Sequence, residues 1–152
     1  MAEGHQIESI QDLLLWIFFA QLKIISSLNS SKKAFEILRD KWDNNTVELQ
    51  EEFKVLLIDR DNTVLGIYSL SKGGIAGTVV DVRLILVAAL KAKASAIILA
   101  HNHPSGNLKP SGQDLNLTKK IIKATKLLDI DLLDHIILSN QDYYSFSDES
   151  DL

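Results

Sequence analysis

Residues 99–114, LAHNHPSGNLKPSGQD, contain the end of an apolar run, a polar turn and the start of a helix in direct succession. The apolar run at residues 96–100 predicts a buried strand, and Pro104 ends it. Ser111 then begins the next helix as a capping residue. Two histidines lie between the strand and the turn, at the mouth of a polar loop, and what they bind decides the function of the protein.

The spacing of these two histidines is suited to chelation. Side chains two residues apart on an extended segment point to the same side, so His101 and His103 can present two imidazoles to one point while Asn102 faces away. Asp114, in the first turn of the predicted helix, comes back near the strand end as a third ligand. Two neutral imidazoles and one carboxylate leave one position open on a tetrahedral Zn²⁺, as in catalytic zinc sites.

The serine and the aspartate of this stretch also have a purely structural interpretation. Ser111 and Asp114 have the spacing of a capping box, and for these two residues in isolation capping is the favoured interpretation. The two roles are compatible, because a cap can orient groups that serve a metal. Taken together, the paired histidines, the proline and the acidic residue favour a catalytic metal site.

The composition limits what kind of protein this is. The chain has 152 residues, 46% hydrophobic and 24% charged, which predicts one ordinary globular domain. A net charge of −4 gives no support for a DNA-binding surface. There is no cysteine, so a metal must use nitrogen and oxygen ligands, and a cytoplasmic location is the default expectation.

The N-terminal residues 1–29 differ in character from the rest and are predicted to form an apolar extension to a domain at residues 30–152. They include the run LLLWIFFA at residues 13–20, which follows acidic residues and is too short to span a bilayer. A buried strand or helix, or a patch for self-association, is the better interpretation. We therefore expect no membrane association, and a homodimer is left open.

The order of predicted elements indicates the fold class. A helix after Ser30 or Ser31 precedes two strands, Phe53 to Ile58 and Thr63 to Leu70, and Asp81 then caps a second helix. Then follow a strand from Ser95 to Ala100, a helix from about Ser111 to Leu128 and a strand near His135 to Leu138. A helix, a hairpin and then alternating helices and strands predict an α/β domain with a mixed β-sheet flanked by helices.

The motif of residues 101–114 resembles that of a known family. It fits His-x-His-x7-Ser-x-x-Asp, the motif of JAMM (MPN+) metalloproteases, and the flanking segments AIILAHNHPSG and LLDHIILS make it most similar to bacterial RadC-like JAB-domain proteins. The resemblance covers about residues 30–152. It implies a JAB/MPN (cytidine-deaminase-like) fold, Zn²⁺ on the three ligands named above, and Ser111 helping to hold the developing oxyanion.

A zinc hydrolase also needs a carboxylate to move the proton of the attacking water. The family places a glutamate on its first core strand, and EEFKVLLID offers both Glu51 and Glu52. Alternation does not choose between them, because both precede the apolar run. We take Glu52, which stands directly before Phe53. Without the resemblance, the two acids would be read as a solvated strand end.

The expected function is zinc-dependent hydrolysis of an amide bond in a peptide or protein substrate. A zinc deaminase is disfavoured, because its His-x-Glu and Pro-Cys-x-x-Cys motifs are absent. A DNA-associated nuclease or phosphodiesterase, and a binding module without catalysis, stay open as alternatives. His135, within an apolar run, is interpreted as a structural histidine hydrogen-bonded to backbone or carboxylate, since a fourth protein ligand would close the site.

Overall fold

Helices and strands alternate along most of the chain in the computed structural model, which describes residues 27–74 and 78–152. Within these ranges the elements are α1 (Ser31–Asp40), β1 (Glu52–Ile58), β2 (Val64–Lys72), α2 (Val82–Lys91), β3 (Ala96–Asn102), α3 (Gly112–Lys126), β4 (Asp131–Leu138) and β5 (Tyr143–Ser145). The predicted extension at residues 1–29, including the run at 13–20, lies outside the described residues except at 27–29. In the described ranges, no helix has both the length and the apolar character needed to cross a bilayer.

The strands form one mixed sheet, which confirms the predicted α/β class. Its order is β2-β1-β3-β4-β5, with β3 in the centre. Strand β1 is antiparallel to both β2 and β3, β3 is parallel to β4, and β5 is antiparallel to β4. A parallel pair needs a crossover connection, and α3 provides it between β3 and β4. The helix that follows the histidines therefore returns across the sheet.

Each helix begins with a side chain that accepts a hydrogen bond from the first turn. Ser30 accepts from the Lys33 N–H at 3.1 Å and Asp81 from the Arg83 N–H at 3.0 Å. Ser111 caps α3 in the same way. Of the two serines considered for α1, Ser30 is the cap, and the predicted caps of α2 and α3 are confirmed. These bonds satisfy backbone donors that a helix start leaves without partners.

The sheet buries a separate apolar cluster on each face. Helix α1 covers one face, where its side chains pack with Leu56 and Ile98. Helices α2 and α3 cover the other, where Phe53, Val55 and Leu99 lie. Alternation along β1 and β3 assigns each residue to a face, so residues next to each other in the sequence have different surroundings.

Several strand bounds differ from the sequence-based expectation, and β4, for example, begins at Asp131 rather than near His135. Strand β3 continues through His101 to Asn102, because it pairs on both sides there, His101 with Phe53 of β1 and Asn102 with Leu138 of β4. Strand β5 was not predicted as a strand, and it forms by pairing with the end of β4. Pairing between segments distant in sequence therefore determines where β3 ends and that β5 forms.

Glu52 lies in a buried ion pair on the α1 face of the sheet. Its carboxylate is 3.1 Å from the Lys54 Nζ and 3.2 Å from the Lys72 Nζ, and it accepts a hydrogen bond from Thr46 at 2.9 Å. Burial by itself raises the pKa of Glu52, but hydrogen bonds from Thr46, Lys54 and Lys72 and the charge of Lys54 outweigh it and lower the pKa. Lys54 also lies over the Trp42 ring, at 4.8 Å from its centroid.

Replacing Glu52 with Gln would leave the Lys54 charge buried without its partner, and we expect the free energy of unfolding to fall by about 3 kcal/mol at pH 7. Because the folded-state pKa of Glu52 is lowered, the wild-type advantage is complete above the pKa of the unfolded chain, about 4.3, and is lost as the pH falls through the lower folded value. Urea denaturation at pH 7 and at about pH 3 measures both effects.

The same substitution at the neighbouring Glu51 is the matched control. Glu51 is half-buried and lies outside this ion pair, so Glu51→Gln should change the free energy of unfolding by no more than about 0.5 kcal/mol. Equal losses in the two variants would contradict a stabilising role specific to the Glu52 ion pair.

Candidate metal centre

The two histidines of the motif come together at the end of the central strand. His101 is the penultimate residue of β3 and is buried, and His103 follows the strand and is half-buried. Their Nε2 atoms are 3.0 Å apart, as the spacing of the two residues predicts. The next turn supports this arrangement: Gly106 adopts a φ of 76°, which favours glycine, and the Asn107 carbonyl accepts a hydrogen bond from the His103 Nδ1.

Asp114 reaches the same point from the first turn of α3. Its Oδ1 lies 3.2 Å from the His101 Nε2, and its Oδ2 lies 3.7 Å from the His103 Nε2. The other contacts of the Asp114 carboxylate form the predicted capping box: Oδ2 accepts from the Ser111 N–H and the Ser111 hydroxyl, each at 2.7 Å. The carboxylate therefore caps the helix while facing both imidazoles.

The electrostatics of the cluster keep Asp114 in the ionised form. Burial by itself raises the pKa of Asp114, but hydrogen bonds with His101, His103 and Ser111 outweigh it and hold the pKa well below its usual range. The hydrogen bond with Asp114 raises the pKa of His103 against the effect of burial, with smaller contributions from the Asn107 carbonyl and from the charges of Asp114 and Glu51.

The donor set fits a metal ion such as Zn²⁺. Among the described residues, His101, His103 and Asp114 each offer one ligand atom, and these atoms lie within 4.8 Å of one another. In a tetrahedral site with bonds of about 2.1 Å, ligand atoms are separated by about 3.4 Å. The two Nε2 atoms are 3.0 Å apart, and each faces a different oxygen of Asp114, His101 at 3.2 Å from Oδ1 and His103 at 3.7 Å from Oδ2. The three side chains therefore form a candidate metal site that needs only a small rotation of the carboxylate or the imidazoles.

A pocket of about 380 Å³ opens onto this cluster. Its lining comprises the three candidate ligands together with Glu51, Phe53, Thr78, Val80, Ser111, Gln113 and Leu117. Polar and apolar side chains both contribute to this lining. A substrate bound in this pocket would thus meet the candidate ligands.

The structure does not bring Glu52 to this pocket. The side chain of Glu52 is on the α1 face of β1, bound to Lys54 and Lys72 as described above, whereas the imidazoles are on the opposite face. Glu51 lines the pocket instead, two residues before Phe53, whose ring stacks on His101 at 5.8 Å between centroids. Residues two apart on a strand lie on the same face, so Glu51 shares the face of Phe53 and Glu52 does not. Alternation would therefore have favoured Glu51 as the pocket residue if the sequence had shown which face Phe53 occupies.

Ser111 lies at the edge of the pocket as the N-cap of α3. Besides donating to the Asp114 carboxylate, its hydroxyl accepts from the Asp114 N–H at 3.2 Å. The hydroxyl is therefore tied to the candidate metal ligand and exposed at the same time. The structure thus brings the predicted site residues together, apart from Glu52.

Asn102 is a supporting residue to which the sequence analysis assigned no role. Its side chain faces away from the imidazoles and is buried. The amide oxygen accepts from the Glu52 N–H, and the amide nitrogen donates to the Val47 and Gln50 carbonyls, each at 2.7 Å. Asn102 thereby holds the backbone on both sides of Glu51, and this role depends on contacts that are distant in sequence.

His135 lies behind His101, away from the pocket, and is completely buried. Its Nε2 is 2.9 Å from the His101 Nδ1, and its Nδ1 is 2.7 Å from the Thr118 hydroxyl oxygen. Burial and the neighbouring histidines lower the pKa of His135. The expected hydrogen bonds to backbone or carboxylate are thus replaced by bonds to an imidazole and a hydroxyl, and its ring nitrogens face away from the candidate metal position.

A comparison with known protein families matches residues 28–151 to the RadC-like JAB domain. The chain belongs to this family. A UPF0758 protein of Flavobacterium johnsoniae is 46% identical over 125 residues, covering 82% of this chain and 53% of the relative. A UPF0758 protein of Chlorobaculum parvum is 34% identical over 149 residues, covering 98% and 65%. The chain thus spans about half to two thirds of these relatives, and the family resemblance and JAB/MPN fold seen in the sequence are confirmed.

Truncating Asn102 to Ala removes the partners of a buried N–H and two carbonyls. We expect the free energy of unfolding to fall by about 2–4 kcal/mol, measured by urea denaturation. Asn45 is exposed in the same connection between α1 and β1, and Asn45→Ala should change the free energy of unfolding by no more than about 0.5 kcal/mol. Similar small losses in both variants would show that Asn102 does not hold this part of the chain.

Proposed function

We propose that this RadC-like JAB domain is a zinc-dependent hydrolase that cleaves an amide bond in a peptide or protein substrate. The observation that carries the proposal is the convergence of His101, His103 and Asp114 at a pocket that is open to a substrate. JAB domains include hydrolases, and the two-imidazole, one-carboxylate set is typical of catalytic zinc sites that keep a position open. The absence of cysteine fits a site made of nitrogen and oxygen ligands.

The ligand side chains have distinct tasks in this proposal. A bound Zn²⁺ would supply a Lewis acid and lower the pKa of water toward neutrality. His103 is oriented by its bond to the Asn107 carbonyl, and Asp114 is oriented by the helix cap. Both side chains are thus oriented in the metal-free protein, which reduces the conformational entropy lost when a metal binds.

We assign the general base to Glu51 rather than to Glu52. Glu51 lies in the pocket with the imidazoles, and its charge acts on His103, whereas Glu52 is neutralised by two lysines on the other face. In this role Glu51 takes a proton from the attacking water and passes it to the leaving nitrogen. A carboxylate held in an ion pair away from the substrate is unable to do this.

We assign Ser111 the role of donating a hydrogen bond to the carbonyl oxygen of the substrate. Its hydroxyl lines the pocket next to Asp114, and a hydroxyl proton can rotate between acceptors. The Ser111 N–H keeps its bond to the Asp114 carboxylate if the hydroxyl turns away. The residue is therefore able to stabilise negative charge on the oxygen without releasing the helix cap.

Metal binding is the first test of the proposal. The purified wild-type chain should bind one Zn²⁺ at neutral pH, and His103→Ala and Asp114→Asn should each remove most of the affinity, measured by competition with a chromophoric chelator. Removing the metal should abolish hydrolysis in a peptide-library screen, and returning Zn²⁺ should restore it. A wild-type chain that does not retain zinc would refute the proposal, and zinc-dependent cleavage of DNA alone would favour a nuclease.

The two adjacent glutamates give a reciprocal test of the base. Glu51→Gln should keep the metal and the fold but lower kcat by about 10²-fold or more, since general acid–base catalysis typically contributes 10²–10⁴-fold. Glu52→Gln should keep turnover under conditions in which it is folded, although it is less stable. Full hydrolysis by the Glu51→Gln variant would exclude Glu51 as the general base.

A further inference from the structure

Two buried polar residues behind the candidate metal centre have no role in the proposed reaction. Thr118, on α3, and His135, on β4, are both inaccessible to solvent. Together with His101 they form one chain of hydrogen bonds that ends at the Asp114 backbone carbonyl. The direction of each bond in this chain can be derived from which atoms are able to donate.

The donor and acceptor of each bond can be assigned from Thr118 onward. The hydroxyl oxygen of Thr118 is 2.7 Å from the Asp114 carbonyl oxygen, which can only accept. A hydroxyl has a single proton, so the Thr118 proton goes to that carbonyl. The contact of 2.7 Å between the Thr118 hydroxyl and the His135 Nδ1 must then be a bond donated by His135.

The next step is the other nitrogen of His135. The ring is completely buried, and its hydrogen-bonding partners are a hydroxyl and an imidazole, with no carboxylate among them. A neutral imidazole has a single N–H, and the contact with Thr118 places it on Nδ1. The His135 Nε2 is therefore an acceptor, and the His101 Nδ1 donates to it at 2.9 Å.

This chain leaves the lone pair of His101 on Nε2, the atom that faces His103 and Asp114. His103 reaches the same state separately, because its Nδ1 donates to the Asn107 carbonyl. When both rings are neutral, two imidazole lone pairs and the Asp114 carboxylate face one another at 3.0–3.7 Å. A proton or a metal cation bound between these groups relieves their repulsion, so a metal competes with the proton that otherwise joins the imidazoles to Asp114.

We infer that Thr118 and His135 form a positioning pair that fixes the tautomer of His101, so that its Nε2 is ready to bind the metal. The inference deepens the proposed function and rests on it for the identity of the ligand. His135 is also held sterically: its ring stacks on Phe146 at 4.6 Å and meets the edge of Phe53 at 5.8 Å between centroids. Hydrogen bonds to the distal nitrogen of a ligating histidine are known to tune metal affinity.

The tautomers can be measured without metal or activity. Long-range ¹H–¹⁵N NMR spectra of the wild-type chain, without metal and above neutral pH, should show His101 and His135 both protonated on Nδ1. A proton on the His101 Nε2 would overturn the inference, whatever the chain catalyses. In Thr118→Val, the acceptor for His135 is lost, and we expect the Nε2–H tautomer to become populated in both rings.

Metal affinity gives the second measurement, with a matched control in the same helix. Thr118→Val should weaken Zn²⁺ binding about 10–100-fold, whereas Thr118→Ser, which keeps the hydroxyl, should stay within about threefold of wild type. Thr125→Val is the control, because Thr125 is also buried on α3 and its hydroxyl bonds to a helix carbonyl, far from the histidines along the helix. It should retain wild-type affinity.

His135 itself provides a further pair of variants. His135→Phe fills the space between the aromatic rings but removes the acceptor, and should weaken Zn²⁺ binding as Thr118→Val does. His135→Gln offers an amide oxygen to the His101 Nδ1 and should restore part of the affinity. Unchanged zinc affinity in both Thr118→Val and His135→Phe would overturn the inference while leaving the proposed hydrolase intact. Failure of the wild-type chain to bind zinc would instead refute the hydrolase, and the NMR tautomers would still test the pair.

Discussion

The candidate site depends on the pairing of β3 with a strand on each side. β1 pairs with this strand as far as His101 and β4 as far as Asn102, so its register is fixed. Alternation then directs His101 to the α3 face and Asn102 to the α1 face. A shift by one residue would exchange the imidazole and the amide between the two faces. The register that buries Leu99 against the helices therefore also aims the first candidate ligand.

The start of α3 completes the site, and one carboxylate serves two purposes there. Asp114 satisfies the backbone and hydroxyl of Ser111, so its orientation follows from the same bonds that begin the helix. A helix N-terminus also favours a negative charge at this position. One turn later, Thr118 donates to the Asp114 carbonyl and meets His135. Helix capping, ligand orientation and the buried histidine are thus parts of one connected network.

The two faces of the sheet use buried polar groups differently. On the α1 face, Glu52 and Lys54 neutralise each other, and Asn102 holds the neighbouring backbone. On the α3 face, the imidazoles of His101 and His135 are within hydrogen-bonding distance of each other, and the carboxylate of Asp114 lies next to the pocket. Glu51 is connected to both faces. Asn102, on the α1 face, bonds to the backbone of Gln50 and Glu52, and the Glu51 side chain lines the pocket on the α3 face.

The sequence by itself determined the α/β class, the caps of α2 and α3 and the convergence of His101, His103 and Asp114, because these follow from local periodicity, capping chemistry and the short turn between strand and helix. It did not distinguish Glu51 from Glu52, since the face of a strand end depends on which cluster its neighbours join. It also left His135, Thr118 and Asn102 without their partners, which come from segments distant in sequence. Those contacts exist only once β1, β4 and α3 have packed around β3, so only the tertiary structure could decide them.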